Sequence, residues 1–441
     1  MLDKISSYVW SSWMLGFILC FGIYISVRSG FFQITGFRTI FKSTFGSLLQ
    51  KKDNRQSKDI SQFRVFCTTL AATMGTGNIV GVASAIILGG AGAVFWMWIS
   101  AFIGMMVVYA ENYYGNVHRT RDRDGTWCGG AMNYIKAAFS NRTVPAVYAC
   151  LCVAAAFGMG NMVQTNSISS SITSQFRADP LIIGAVAAFI CGLAIIGGIK
   201  RISAMTSVII PVISVFYISA SLIIVIKNAG IIPDIFKKIF TEAFGIQAVS
   251  GGICGAVIKS AVSTGLRRGI FSNEAGLGTS AMIHTSGESS DPRIQGMWGI
   301  AEVFCDTIIC CTATALVILS YICRGGNMDS DAAVLVISSF GSQFGKLTGI
   351  FICISVSVFA FATLIGWSHC GESAFRYLSR GKYIYLYRFF YCLAAAAGAV
   401  LKLSTVWTLS DIFNGLMIIP NICALFVLSL KEPFTCPCKK H

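Results

Sequence analysis

Charge is scarce in this sequence. Of its 441 residues only 12% are Asp, Glu, Lys or Arg, against 55% that are hydrophobic, and the mean hydropathy is +0.69. Ordinary soluble domains carry about a quarter charged residues, so a water-facing globular surface is excluded. Long polar connections are few as well: only residues 31–63 and 116–143 form sizeable basic loops, too little for a separate soluble catalytic domain. Zinc-type CxxC pairs are missing. The 17 cysteines are scattered, mostly inside apolar runs, as at Cys150, Cys152, Cys310 and Cys311, and read as small apolar core residues. The tail bearing Cys436, Cys438 and His441 reads as a short solvated segment, the alternatives being a metal ligand set or a lipid attachment point. No nucleophile, acid–base pair or metal cluster forms around His284 or His369, so an enzyme is not expected, nor is an organic cofactor.

What is present is apolar length. Runs near the roughly 20 residues that a helix needs to cross the hydrocarbon core recur along the chain. Eleven are read, at 10–27, 65–87, 91–110, 144–172, 181–198, 202–226, 251–285, 294–323, 347–371, 383–401 and 412–430. The expectation is an all-α integral membrane protein. No basic n-region or small-residue cleavage site accompanies the first run, which is expected to stay as a helix.

A net charge of +15 raises the question of nucleic acid, but in a membrane protein the distribution between loops is more telling. Of the 34 Lys and Arg, 23 fall on one side of the spans, eight on the other and three inside the seventh. The side richer in cations is expected to be cytoplasmic, which puts the N-terminus outside and the C-terminus inside a plasma or inner membrane.

Setting aside the first run leaves ten, five in residues 64–226 and five in 251–430, flanked by 1–63 and a tail at 431–441. Five is odd, so the halves insert in opposite orientations. Each half opens with an interrupted run: "TMGTGN" at 73–78 and "RRGIFSNEAGLGTS" at 267–280. Two discontinuous helices at the heads of inverted halves are the sequence pointer to a secondary transporter site at mid-membrane. Non-helical backbone survives in hydrocarbon only when buried in protein or lining a wet cavity. There its free N–H groups can bind an anion and its free carbonyls a cation, so an amino acid zwitterion plus a small cation suits both. Gly75 and Gly77 permit unusual backbone angles, while Thr76 and Asn78 offer hydrogen bonds. The alternative for "GTG" alone is close helix packing.

Other polar groups stand at membrane depth. Asn161 and Gln164, three apart, share a helix face, lining a substrate or bridging helices. Glu302 and Asp306 sit one turn apart, either coupling an ion or proton or pairing with Lys259, Arg267 and Arg268. Thr363 and Trp367 share a face, with an interfacial anchor as the alternative for Trp367. A channel would need a continuous polar pore rather than two breaks around a few neutral groups.

These stretches carry a resemblance. "GTGNIVGVASAI", "YAENYYGN", "GMGNMVQTNS", "GLRRGIFSNEAGLGTSAMIH", "AEVFCDTIICCTATALVI", "FAFATLIGWS" and "NGLMIIPN" together resemble the alanine or glycine:cation symporter family over nearly the whole chain. The resemblance implies a LeuT-type 5+5 inverted repeat preceded by one extra helix, and symport of a small neutral amino acid, alanine or glycine, with sodium. A proton-coupled symporter or an exchanger of another small solute is the alternative. Carried over, the substrate site comprises Thr76, Gly77, Asn78, Gln164, Phe271, Asn273, Gly276, Thr363 and Trp367. The resemblance also implies sodium between the carbonyls near Ala72 and Thr73 and the hydroxyl of Thr363. Where the family commonly has a Ser-Thr pair this chain has Ala362-Thr363, one hydroxyl fewer.

Overall fold

A computed structural model describes residues 2–48, 60–121, 127–245, 253–288, 291–328, 331–401 and 404–437. Cys438 and His441 lie outside them. Helices dominate, and the sheet found among the described residues is a two-residue hairpin pairing Thr120–Arg121 with Trp127–Cys128. The first segment, α1 (Lys4–Arg28), is followed by short helical turns to Leu48. Residues 65–87 become two helices end to end, α2 (Gln62–Thr73) and α3 (Val80–Gly89). Then come α4 (Gly92–Val117), α5 (Ala131–Phe139), α6 (Thr143–Phe176), α7 (Pro180–Ile195), α8 (Gly198–Lys227) and α9 (Ile232–Ala243). Residues 251–285 also divide, into α10 (Ile253–Asn273) and α11 (Thr279–His284). The remainder is α12 (Pro292–Cys323), α13 (Ala332–Phe344), α14 (Thr348–Ser379), α15 (Ile384–Val400) and α16 (Ser404–Lys431).

Local chemistry sets several starts. Asp179 and Asp291 accept the N–H of Leu181 and of Arg293, each followed by a proline at the first helical position, where its missing donor is harmless. Asp331 caps α13 in the same way, bonding Ala333 and Val334. That 13-residue apolar helix falls between two expected spans and is too short to cross alone, so a length criterion passes over it. Among the described residues seven helices are long and apolar enough to cross a membrane. α10 is not one of them, since Lys259, Arg267 and Arg268 interrupt it.

Polarity runs outward to inward in the reverse of a soluble protein. Phe189 of α7, Val208 of α8 and Phe389 of α15 are 68%, 64% and 63% exposed, whereas Glu111, Glu274, Glu302 and Asp306 are buried. A surface of this kind is stable only against acyl chains, so the multi-pass reading stands on structure as well as composition. Close backbone approach holds the bundle. A Cβ on Gly366 of α14 would come 2.9 Å from the Ala72 backbone nitrogen, and one on Gly398 of α15 would come 2.6 Å from Met162.

The two ends of the chain meet. α1 lies on α4 and α16, with Trp10 Nε1 donating to the Asp411 carbonyl at 2.8 Å. The described part of the tail, residues 432–437, is docked: Tyr109 and Tyr114 hydroxyls donate to the carbonyls of Thr435 (3.0 Å) and Glu432 (2.7 Å), and Phe434 packs edge-on to Tyr109. A cluster of tyrosine rings on α4, Tyr109, Tyr113 and Tyr114, makes this seat, which the tail's own residues do not announce.

Candidate functional site

α2 ends because Gly75-Thr76-Gly77 follow it. The Met74 N–H still bonds the Leu70 carbonyl, Gly75 turns back on Thr73 (2.9 Å), and a single 3₁₀ turn, Thr76–Asn78, leads into α3. Neither Gly75 nor Gly77 has a positive φ, so the glycines serve space rather than an unusual angle. The space is measurable. A Cβ on Gly75 would fall 2.6 Å from Thr363 Oγ1 and 3.4 Å from Gln164 Oε1, while one on Gly77 would make ordinary contacts of 3.6 Å and 3.7 Å with the Phe271 ring. Gly75, not Gly77, is where α2, α6 and α14 converge.

Around that point the side chains are buried and partly unanswered. Gln164 Nε2 donates to the Met159 carbonyl at 3.1 Å, but its Oε1 has no partner among the described residues. Thr363 Oγ1 lies 3.2 Å from the Phe359 carbonyl of its own helix and 3.5 Å from that of Met74. Thr73 Oγ1 turns back to Thr69 and Leu70, and the Ala72 carbonyl, at the end of α2, receives no hydrogen bond among the described residues. A free carbonyl at the end of α2, with the Thr363 hydroxyl 3.5 Å from the nearby Met74 carbonyl, is chemistry that suits a hard cation. Ala362 stands in the neighbouring apolar cluster with Leu70, Met74 and Phe359.

Asn78 acts as a brace. Its Oδ1 accepts from the Gly75 N–H (3.1 Å), its Nδ2 donates to Asp306 Oδ1 (2.7 Å), and its carbonyl accepts from Thr314 Oγ1 (2.8 Å). Thr76 is buried on the same turn. Asp306 also receives Ser272 and Thr307 hydroxyls, both at 2.8 Å. Glu302 is a separate station: Ser280 Oγ donates to it at 2.8 Å and His284 Nε2 lies 3.6 Å away. The two carboxylates are therefore held by different neutral donors, with a π-helical segment, Phe304–Cys311, beginning between them. The basic residues go elsewhere. Arg267 pairs with Asp411 and Arg268 donates to Ser84 Oγ at 3.0 Å.

The second break is braced throughout. Glu274, Gly276 and Gly278 all have positive φ (54°, 94° and 79°), the conformation that ends α10 and starts α11. The Gly276 carbonyl accepts from Asn421 Nδ2 (2.8 Å), the Leu277 carbonyl from Tyr148 Oη (2.5 Å), and the Gly278 N–H donates to Glu111 (3.0 Å). Gly276 is thus turned to α16. Asn273 is turned to α12 and to its own loop, donating to Thr307 Oγ1 at 3.4 Å and accepting from the Ala275 N–H at 3.1 Å. The Gly276 and Leu277 carbonyls and the Ala275 and Gly278 N–H groups are thus answered by side chains.

Trp367 is no interfacial anchor. It is fully buried, and its indole N–H donates to Glu274 Oε1 at 2.8 Å, while Thr279 Oγ1 donates to Oε2 at 2.6 Å. Phe271 stacks at 6.3 Å on Trp407. Asn161 faces α15, donating to the Tyr391 carbonyl at 2.7 Å, because the π turn Gly158–Met162 between α-helical stretches shifts it out of phase with Gln164. It bridges helices. Sequence reasoning passed over Glu274 and Glu111. The signal available was their charge at membrane depth, where a carboxylate is a functional candidate by default.

Comparison with known proteins agrees with this architecture. The family model described as the sodium:alanine symporter family matches residues 1–433. The chain is 39% identical to the sodium/alanine symporter AgcS of Methanococcus maripaludis over 97% of its own length and 94% of that protein. It is 34% identical to the probable sodium/glutamine symporter GlnT of Bacillus subtilis, over 97% of this chain and 87% of that one. Among solved structures MhsT in complex with L-phenylalanine superposes with a TM-score of 0.61 at 14% identity, covering 86% of this chain and 91% of that one, a likeness of LeuT-type fold.

Proposed function

The chain belongs to the sodium:alanine symporter family, a family of transporters and not of enzymes, and from that premise and the site geometry we propose that it imports a small neutral amino acid, alanine or glycine, together with sodium by alternating access. The carrying observation is the meeting of Gly75, Thr363 and Gln164, where among the described residues a buried amide oxygen has no partner and the Ala72 carbonyl at the end of α2 receives no hydrogen bond. Acceptor oxygens of this kind suit an ammonium group and a cation, each of which the low-dielectric interior would otherwise disfavour. Residues 64–226 and 251–430 serve as the two inverted halves, 1–63 adds the extra helix and 431–441 the cytoplasmic tail. The cation-rich loops face the cytoplasm of a plasma or inner membrane. Thr76, Gly77, Asn78 and Phe271 line or brace the amino acid pocket, and Trp367 closes it. Asn273 and Gly276 support the second break.

Proton coupling is the second reading, favoured by Glu302, whose Oε1 has no partner among the described residues and whose neighbour is His284. Uptake into proteoliposomes tests both, with alanine, glycine and glutamine as substrates and with sodium or proton gradients applied singly. Accumulation of alanine or glycine driven by sodium is expected. Equal accumulation with neither gradient overturns coupled symport.

A further inference from the structure

Below the candidate pocket, toward the Lys- and Arg-rich side, lies a cavity of about 510 Å³. Its walls include Asn133, Lys200, Met282, His369, Glu372 and Arg388. Glu372 is held by Arg388 at 2.7 Å and Arg376 at 3.4 Å, so the ion-pair network lies along the wall and leaves the cavity itself open. Met282 is three residues beyond Thr279 on α11, and His369 is two beyond Trp367 on α14. Both walls therefore lead, within one helical turn, to the Glu274 cluster.

Polar contacts join α14 to α11 and to the break before it, beside apolar packing of Leu277, Ala281 and Met282 in the cluster that holds Trp367 and Cys370. Trp367 Nε1 and Thr279 Oγ1 both donate to the Glu274 carboxylate, and Cys370 Sγ lies 3.8 Å from the Thr279 carbonyl. The opposite side of the pocket is closed by different groups. There the Phe271 and Trp407 rings stack, Arg267 pairs with Asp411, and Arg268 holds Ser84. One barrier carries an aromatic pair and an ion pair; the other carries the Glu274 carboxylate with its two donors, beside the bonds of Tyr148, Asn421 and Glu111 to the same break.

We propose that the Glu274–Trp367 hydrogen bond is the inner gate, separating the amino acid pocket from the 510 Å³ cavity through which the substrate leaves. The proposal rests on the transporter reading above and adds a residue and a route to it. Glu274 suits the part because its left-handed backbone, φ 54°, aims the carboxylate from the break itself. Any movement of α11 that frees the substrate must shift that carboxylate, and the bond to α14 breaks without unwinding either helix. Glu274 is a positioning residue here, acting through Trp367 and Thr279.

Thiol reactivity in a cysteine-depleted protein tests the gate. Ser373→Cys places a thiol in the cavity and Thr76→Cys one on the pocket side. An impermeant maleimide is applied to inside-out vesicles. The thiol at 373 is expected to react readily in every background, and that at 76 slowly. Trp367→Phe, which keeps an aromatic wall but lacks the N–H, is expected to speed labelling at 76 by about tenfold, the scale of one net hydrogen bond. Glu274→Gln, which retains an acceptor oxygen, is expected to fall between. Labelling at 76 that stays slow in both variants overturns the gate, as does equal acceleration at 373, the mark of general loosening. A wild type that shows this labelling pattern yet transports neither alanine nor glycine keeps the gate and removes the substrate assignment.

Discussion

Thr363 Oγ1 occupies the space in which a side chain on Gly75 would begin, 2.6 Å from where its Cβ would stand. The contact joins the end of α2 to the middle of α14, and Gln164 Oε1 completes it from α6. Gly75→Ala must therefore push the hydroxyl away or open the break. Alanine binding in detergent is expected to weaken at least about tenfold, a shift of some 1.4 kcal/mol. Gly77→Ala, whose Cβ makes only ordinary contacts with Phe271, is expected to retain binding. Binding isotherms beside melting curves separate the two, and equal losses in both variants would show that no distinction exists between the glycines.

The coupling ion is tested at the adjoining oxygens. Thr363→Ala removes a hydroxyl beside the end of α2 and is expected to raise the sodium concentration for half-maximal uptake. Ala362→Ser adds one and is expected to lower it. Titrating uptake against sodium at two fixed pH values measures both. A half-saturation that stays constant across wild type and variants defeats this ligand assignment.

Asn78→Leu is expected to destabilise the fold even without substrate. It removes the donor to Asp306 and the acceptor for Gly75 in one step, leaving buried polar groups unanswered. Each such group costs roughly 1–3 kcal/mol. A melting temperature in detergent matching wild type would mean that Asn78 is no brace.

Orientation follows from the loop charges. A cysteine replacing Lys136 is expected to be shielded from impermeant reagent in intact cells, and one replacing Lys237 to react. The reverse pattern inverts the topology.

How much of this was legible depends on the range of the interaction. Apolar length and Gly-rich interruptions are local, so 65–87 and 251–285 stood out as broken runs, and helices meet end to end in both. Thr363 and Trp367 share a face because α14 is regular between them. Asn161 and Gln164 do not, since a π turn intervenes and spacing of three no longer means one face. Partnerships were the illegible part. Arg267 meets Asp411, 144 residues on, and Asn78 meets Asp306, 228 residues on. Periodicity says that such groups face inward; it carries no information about which helix they face.

The seat of α1 has a temporal meaning. Trp10 bonds a carbonyl 401 residues later in the chain. During synthesis α1, whose lasting neighbour on that side is α16, enters the bilayer long before that helix exists. It must wait in lipid, and its apolar surface lets it do so without penalty. The last helix then closes the bundle at both ends, by receiving Trp10 at one and by carrying the tail onto Tyr109 and Tyr114 at the other. Ribosome-bound intermediates lacking α16 should accordingly be inserted but protease-sensitive, with resistance gained once α16 is released.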